Sequence, residues 1–124
     1  YHLCYGDLGH KHFIQPEDMS NMVDVANKLA SASNKEINWF HMPVPKSRVD
    51  KAFYAPLKSL KLNPETEVCL GLVHAMDFEG TQKRIETASL FLESFGISSE
   101  CGLGRATLEE FESVVDIMAS ITDP

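Results

Sequence analysis

The sequence predicts an α/β fold in which parallel strands alternate with helices, and two observations predict it. Short runs of β-forming residues recur at 1–5, 37–42, 68–73 and 97–101, with a spacing of about 30 residues, the length of a strand and its crossover helix. Between these runs the apolar residues recur at helical spacing. The order is therefore βαβαβαβα, and because parallel strands need crossover connections, we expect a parallel sheet with helices packed outside it.

The first predicted helical stretch has no internal proline, whereas the second contains one. An apolar stripe at helical spacing runs from 19 to 30, and Pro16 before it suits the first helical position. The second stretch, 49–60, contains Pro56. Because proline has no amide donor and clashes with the preceding turn, we expect this stretch to divide into two short pieces.

The third and fourth helices carry signals at their ends. Gly96 follows the third apolar stripe and is predicted to form its left-handed C-terminal cap. Thr107 and Glu110 have the spacing of a capping box at the start of the fourth helix. The fourth helix is then expected to present one apolar face, formed by Phe111, Val114, Val115, Met118 and Ile121.

The length narrows the fold further. A doubly wound nucleotide-binding fold carries a glycine-rich loop after its first strand, and Gly6 and Gly9 alone do not form that pattern. A TIM (β/α)8 barrel fits the order of elements, but such barrels take about 250 residues. We therefore interpret residues 1–124 as one partial barrel domain of four β/α units, part of a longer protein.

Composition excludes several classes of protein. No apolar run approaches the roughly 18 residues of a membrane-spanning helix, so we expect no membrane association. The net charge is −7, and no basic stripe is present, which argues against nucleic acid as a partner. The chain has three widely spaced cysteines, unlike a secreted disulfide scaffold, and no targeting segment is evident. We expect a cytoplasmic protein.

Three residues form a candidate metal site. His2 and Cys4 lie two apart on a predicted strand, so their side chains share one face of the sheet. Cys101 ends the fourth strand, where catalytic residues of barrels lie. One nitrogen and two thiolates suit zinc, and three ligands leave a position open for catalysis. The alternative is that these are ordinary packed residues, as we interpret Cys69.

Two short motifs carry a resemblance to a known family. Residues 2–5 read His-Leu-Cys-Tyr, and residues 101–103 read Cys-Gly-Leu. In this order they resemble the catalytic domain of cobalamin-independent methionine synthase, within the barrel superfamily that includes uroporphyrinogen decarboxylase. The resemblance spans the whole chain. It implies the C-terminal half of a TIM barrel, zinc bound by His2, Cys4 and Cys101, and transfer of an alkyl group, such as methyl, to or from a small-molecule thiol.

The chain departs from the family at two strands. Where the family supplies a glutamate ligand in an Ile-x-Ile-Glu-Thr context, the nearest residue is His41. His41 is either a fourth zinc ligand or a hydrogen-bonding residue near the strand end. The family's Asp-x-His-Ser segment corresponds to residues 72–77, which makes His74 and Asp77 candidates for the general acid. These changes suggest a related enzyme with a different substrate.

Two further residues are candidates for substrate contact. Glu100 either donates a proton in the reaction or holds a metal ligand in place without binding the metal itself. Arg105 either clamps a carboxylate or phosphate of the substrate or pairs with an acidic residue of the fourth helix, Glu109 or Glu110. His10 and His12 have metal-ligand spacing but lie in a polar stretch, and we interpret them as solvated.

Three functions remain open at this point. The first is a zinc-dependent alkyltransferase, or an enzyme that forms or cleaves thioethers. The second is a decarboxylase-like barrel without metal, and the third is a non-catalytic interaction fragment. Because a half-barrel leaves strand edges exposed, and because both faces of the run 68–73 are apolar, we expect an isolated half-barrel chain to form a homodimer or to aggregate.

Overall fold

The structure, a computed structural model of the chain, describes residues 1–6, 8–9 and 14–122. Within these residues, one parallel sheet has the strand order β1 (Trp39–Pro43), β2 (Glu67–Val73) and β3 (Gly96–Ser99). The helices are α1 (Ser20–Ala32), α2 (Lys51–Tyr54), α3 (Phe78–Ala88) and α4 (Leu108–Thr122), with 3-10 turns at Ala55–Ser59 and Leu103–Arg105. The predicted α/β fold with a parallel sheet is confirmed.

The N-terminal segment extends the sheet by a single bridge. His2 pairs with His41 of β1 in parallel. The amide of Leu3 donates to the carbonyl of His41 at 2.9 Å, and the amide of His41 donates to the carbonyl of Tyr1 at 2.8 Å. Residues 1–3 therefore occupy the position of a fourth parallel strand beside β1, although the predicted strand at 1–5 is longer than this contact.

Proline and capping signals placed two helix boundaries correctly. The second helix divides where predicted: α2 ends at Tyr54, and a 3-10 turn begins at Ala55 with Pro56 in its first positions. At α4, the amide of Thr107 donates to the Glu110 carboxylate at 2.8 Å, and the amide of Glu110 donates to the Thr107 hydroxyl at 3.2 Å. These reciprocal bonds confirm the capping box.

The predicted cap at Gly96 is wrong. Helix α3 ends earlier, at Ala88, and Gly96 begins β3 instead. Its position beside β2 accounts for the glycine, because a Cβ atom there would come within 3.0 Å of the Cys69 sulfur. Gly96 therefore permits close strand pairing, a role that the helical pattern before it could not show.

The core lies mainly on one side of the sheet. Alternate residues of β1 and β2 pack against α1 and the segment around α2, and the fully buried members include Phe40, Met42, Leu70, Leu72, Ala26, Phe53 and Tyr54. Helix α4 packs in a separate, smaller cluster. Its buried residues are Val114 and Ile117, whereas Phe111 and Val115 are each 45% exposed, so its buried face is narrower than predicted and is shifted toward Ile117.

A buried arginine ties α3 to the carboxyl ends of two strands. The guanidinium of Arg84 is fully buried and donates to the carbonyls of Leu72 at 2.8 Å and Lys46 at 2.7 Å. It also donates to the Asp77 carboxylate at 2.8 Å and to the Thr81 hydroxyl at 3.1 Å. One side chain thus satisfies backbone acceptors that follow or end both β1 and β2.

No helix in the described part of the chain is both long enough and apolar enough to cross a membrane.

Candidate metal centre

Three side chains from the two ends of the sequence converge. The potential ligand atoms of His2, Cys4 and Cys101 all lie within 4.8 Å of one another. Strand-like alternation places His2 and Cys4 on the exposed side of the N-terminal segment, while Leu3 between them packs against the core. Cys101 follows β3 by two residues, and its sulfur lies 3.2 Å from that of Cys4.

A glycine in β2 allows this convergence. In the sheet order β2 lies between β1 and β3, so the chain after β3 must cross β2 to approach the N-terminal segment. A Cβ atom on Gly71 would lie 3.0 Å from the Ser99 carbonyl oxygen and 3.1 Å from the Glu100 Cα. The absence of a side chain at this position therefore lets residues 99–101 pass over the sheet toward His41 and Cys4.

The thiol of Cys101 resists ionisation in the metal-free site. Burial raises the pKa of Cys101 to about 12, and the neighbouring Cys4 and the Glu100 carboxylate contribute in the same direction. Two thiolates in this position would be close like charges in a partly buried site. A cation between them would remove the penalty, which is the electrostatic arrangement of a thiolate metal site.

His41 touches the site through His2. The Nδ1 atoms of the two rings are 2.7 Å apart, and Nε2 of His41 lies 3.0 Å from the Ser99 carbonyl oxygen. Burial lowers the pKa of His41, against the opposing effect of the Ser99 bond. Two nitrogens on one tetrahedral zinc are ~3.3 Å apart, given bonds of ~2.05 Å. The shorter contact is a hydrogen bond, so the geometry favours the hydrogen-bonding interpretation of His41 over a fourth ligand.

His74 lies next to the metal group but is poorly suited to donate a proton. It lines a cavity of about 170 Å³ together with Glu100 and Cys101. Its Nε2 donates to the Val44 carbonyl at 2.9 Å, and its Nδ1 lies 3.7 Å from a Glu100 oxygen. Burial, with help from the Arg84 charge, lowers the pKa of His74 to about 4. At neutral pH its one N–H is already engaged with the backbone.

Asp77 is occupied by the fold. Burial by itself raises the pKa of Asp77, but the hydrogen bond and charge of Arg84, with a contribution from Lys46, outweigh this and lower it. The carboxylate is therefore ionised and paired at neutral pH. This arrangement favours a structural role for Asp77 and argues against its predicted role as a general acid.

Of the predicted acids, Glu100 lies closest to the metal group along the chain. It adjoins Cys101 and lines both the small cavity and a larger one of about 610 Å³. His2, His41 and Cys101 also line the larger cavity. Arg105 is exposed in the 3-10 turn after Cys101 and lines neither of these two cavities.

Cys69 faces the larger cavity and not the core. Its side chain is half-buried, and burial followed by the nearby Glu67 charge raises the pKa of its thiol. It is outside the group of three ligand atoms. His10 and His12 lie outside the described residues, so their interpretation as solvated side chains stays a prediction.

Comparison with protein-family models, with curated proteins and with solved structures finds no match for this chain.

Sequence reasoning missed three contributors to this site. Gly71 had a detectable signal, since a glycine within an apolar strand often marks the close approach of another backbone. The Ser99 carbonyl has none, because every residue carries one. Arg84 resembles any surface arginine of an amphipathic helix, and only its buried partners distinguish it.

Proposed function

We propose that this chain binds a catalytic zinc ion through His2, Cys4 and Cys101 and transfers an alkyl group, such as methyl, to or from a small-molecule thiol. The observation that carries the proposal is the convergence of these side chains, which lie at positions 2, 4 and 101, into one group of ligand atoms within 4.8 Å. Packing alone gives no reason for two thiols and an imidazole to meet at an exposed edge beside a cavity.

The donor chemistry fits zinc. One imidazole nitrogen and two thiolates are preferred zinc ligands, and a site with three protein ligands keeps a position for substrate. Two thiolates on one tetrahedral zinc lie ~3.8 Å apart, given bonds of ~2.3 Å. The sulfurs of Cys4 and Cys101 are 3.2 Å apart, so they need to separate by only about half an ångström. A reducing cytoplasm would keep such thiols free of disulfide.

The fold supports the same family assignment. A methionine-synthase-like barrel requires parallel strands joined by crossover helices, and the sheet has this arrangement. Cys4 follows the N-terminal bridge and Cys101 follows β3, so both lie beyond the carboxyl ends of their strands. We therefore propose that residues 1–124 are the C-terminal half of a TIM barrel.

The side chains divide the work between holding the metal and moving a proton. Zinc, when bound, would lower the pKa of a substrate thiol and favour its thiolate at neutral pH. His2, Cys4 and Cys101 would hold the metal, and the adjoining cavity of about 610 Å³ would accept the substrates. Glu100, which adjoins Cys101 and lines both cavities, is placed to exchange a proton with the thiol or the leaving group.

Metal content tests the proposal. Purified wild-type chain is expected to contain about one zinc per chain by elemental mass spectrometry, because the three donors form one site. Cys4→Ser and Cys101→Ser should each lose most of it. Cys69→Ser is the matched control, since it removes a half-buried thiol beside the same cavity that is outside the ligand group.

The outcomes separate the candidate functions. Zinc lost only in the Cys4 and Cys101 variants, together with thiol-dependent alkyl transfer, supports the proposal. Turnover without metal would overturn it in favour of a decarboxylase-like barrel. Neither metal nor turnover in the wild-type chain would point to a non-catalytic fragment.

A further inference from the structure

We infer that His41 is a positioning residue, which orients His2 so that Nε2 of His2 is the nitrogen that binds the metal. The inference rests on the proposed metal site. It assigns a role to His41, which is outside the group of three ligand residues. Its basis is a chain of two hydrogen bonds that runs from His2 through His41 to the Ser99 carbonyl.

The carbonyl at one end of this chain determines where the protons lie. A carbonyl oxygen only accepts, so Nε2 of His41, at 3.0 Å from the Ser99 oxygen, carries the proton. The neutral ring of His41 then has a lone pair on Nδ1. Because the Nδ1 atoms of His2 and His41 are 2.7 Å apart and His41 Nδ1 can only accept, His2 must donate from Nδ1. Its own lone pair is therefore on Nε2, the tautomer that a metal requires there.

The backbone holds both rings in this arrangement. His2 and His41 are partners in the parallel bridge, with backbone hydrogen bonds on either side of it. Their ring planes are 24° apart, and the ring centroids are 4.8 Å apart. His41 is 8% exposed, so solvent competes little for its nitrogens. A ligand histidine whose second nitrogen is hydrogen-bonded in this way has its ring direction and tautomer settled before metal arrives.

The same contacts link the path of residues 99–101 over Gly71 to the orientation of His2. The Ser99 carbonyl that anchors His41 lies two residues before Cys101. One stretch of backbone therefore places a metal ligand and also fixes the tautomer of another ligand on the far side of β2. The two effects are coupled through His41.

The first test reads the tautomers directly. Long-range proton–nitrogen NMR of the ¹⁵N-labelled metal-free chain at neutral pH should show His2 protonated at Nδ1 and His41 protonated at Nε2. In the zinc-bound chain, Nε2 of His2 should carry the metal-induced shift. A His2 ring protonated at Nε2, or zinc on its Nδ1, would overturn the inference.

The second test measures zinc affinity by competition with a chromophoric chelator. His41→Phe keeps a ring but removes both hydrogen bonds, and we expect it to weaken zinc binding by about 10- to 100-fold. His41→Gln retains an acceptor and a donor on one side chain and should recover most of the affinity. Tyr54→Phe is the control, because it also keeps a ring and removes a hydrogen bond to a backbone carbonyl, at a buried position that lines neither cavity of the site, and its affinity should match wild type.

Cobalt(II) distinguishes positioning from collapse of the site. At saturating cobalt, His41→Phe should keep the sulfur-to-metal charge-transfer intensity of two thiolates. Loss of that intensity, or zinc affinity equal to wild type, would contradict a positioning role. If His41→Phe fails to fold by circular dichroism, the glutamine variant and the tautomers decide. If the wild-type chain binds no zinc, the proposed function fails, whereas the NMR result still shows whether His41 orients His2.

Discussion

Replacing Arg84 by methionine tests how the carboxyl ends of the strands are held together beneath the site. The substitution keeps much of the aliphatic volume and removes a fully buried guanidinium. It leaves the carbonyls of Leu72 and Lys46 and the Asp77 carboxylate without this donor. We expect a large loss of stability, because buried acceptors that lose their partner keep the cost of desolvation without a compensating bond.

The magnitude follows from the contacts. Each carbonyl left without its donor costs about 1–2 kcal/mol. Removing one partner of a buried ion pair costs about 3–5 kcal/mol, and this total already includes the hydrogen bonds that the partner made. Asp77 is 24% exposed, so water can solvate part of its charge, and we expect about 3–4 kcal/mol overall. Against a total stability of about 5–15 kcal/mol, this is a substantial fraction.

Urea unfolding followed by circular dichroism measures the change. Lys28→Met is the matched control, since it breaks an exposed pair with Asp24 and should change the free energy of unfolding by less than about 0.5 kcal/mol. Adding Asp77→Asn to Arg84→Met should cost less than the sum of the two single changes, because the carboxylate left without its cation is then neutral. A loss below about 1 kcal/mol for Arg84→Met would refute the reasoning.

Two further predictions concern acid stability and assembly. Because an unfolded histidine takes up a proton near pH 6.5 while His74 in the fold does so only near pH 4, stability should fall as pH drops through this window. Wild type should lose about 2–3 kcal/mol more than His74→Gln between pH 7 and 4.5 in urea titrations, and equal losses would show that His74 is not responsible. The isolated chain should form a homodimer, because in the described residues the outer edges of β3 and of residues 1–3 pair with no other strand. A stable monomer in light scattering would contradict this.

Patterns within short segments predicted much of the fold. The alternation around His2 and Cys4 placed both side chains on one face, and the structure confirms it. Pro56 divided the second helix and the capping box began the fourth. Each of these features depends on the geometry of a few consecutive residues, so a single segment contains the information.

The same reasoning failed where two distant segments compete for one residue. Gly96 suits a helix cap, but the structure places it in β3, paired closely with Cys69 of β2. Asp77 is a reasonable acid in sequence, yet its carboxylate pairs with Arg84 of the same helix, whose guanidinium is also bonded to the distant Lys46 carbonyl. Local patterns contain no information about such partners, because burial and pairing depend on which segments meet.

The sequence by itself determined the α/β class, the approximate positions of β1, β2 and β3, and the three candidate ligands. Only the tertiary structure decided that the chain after β3 crosses Gly71 and brings the Cys101 sulfur to 3.2 Å from that of Cys4. It also decided that His41 engages His2 and the Ser99 carbonyl. The physical reason is that residue type and spacing specify which atoms can bind a metal, whereas their distances depend on the packing of strands that are remote in the chain.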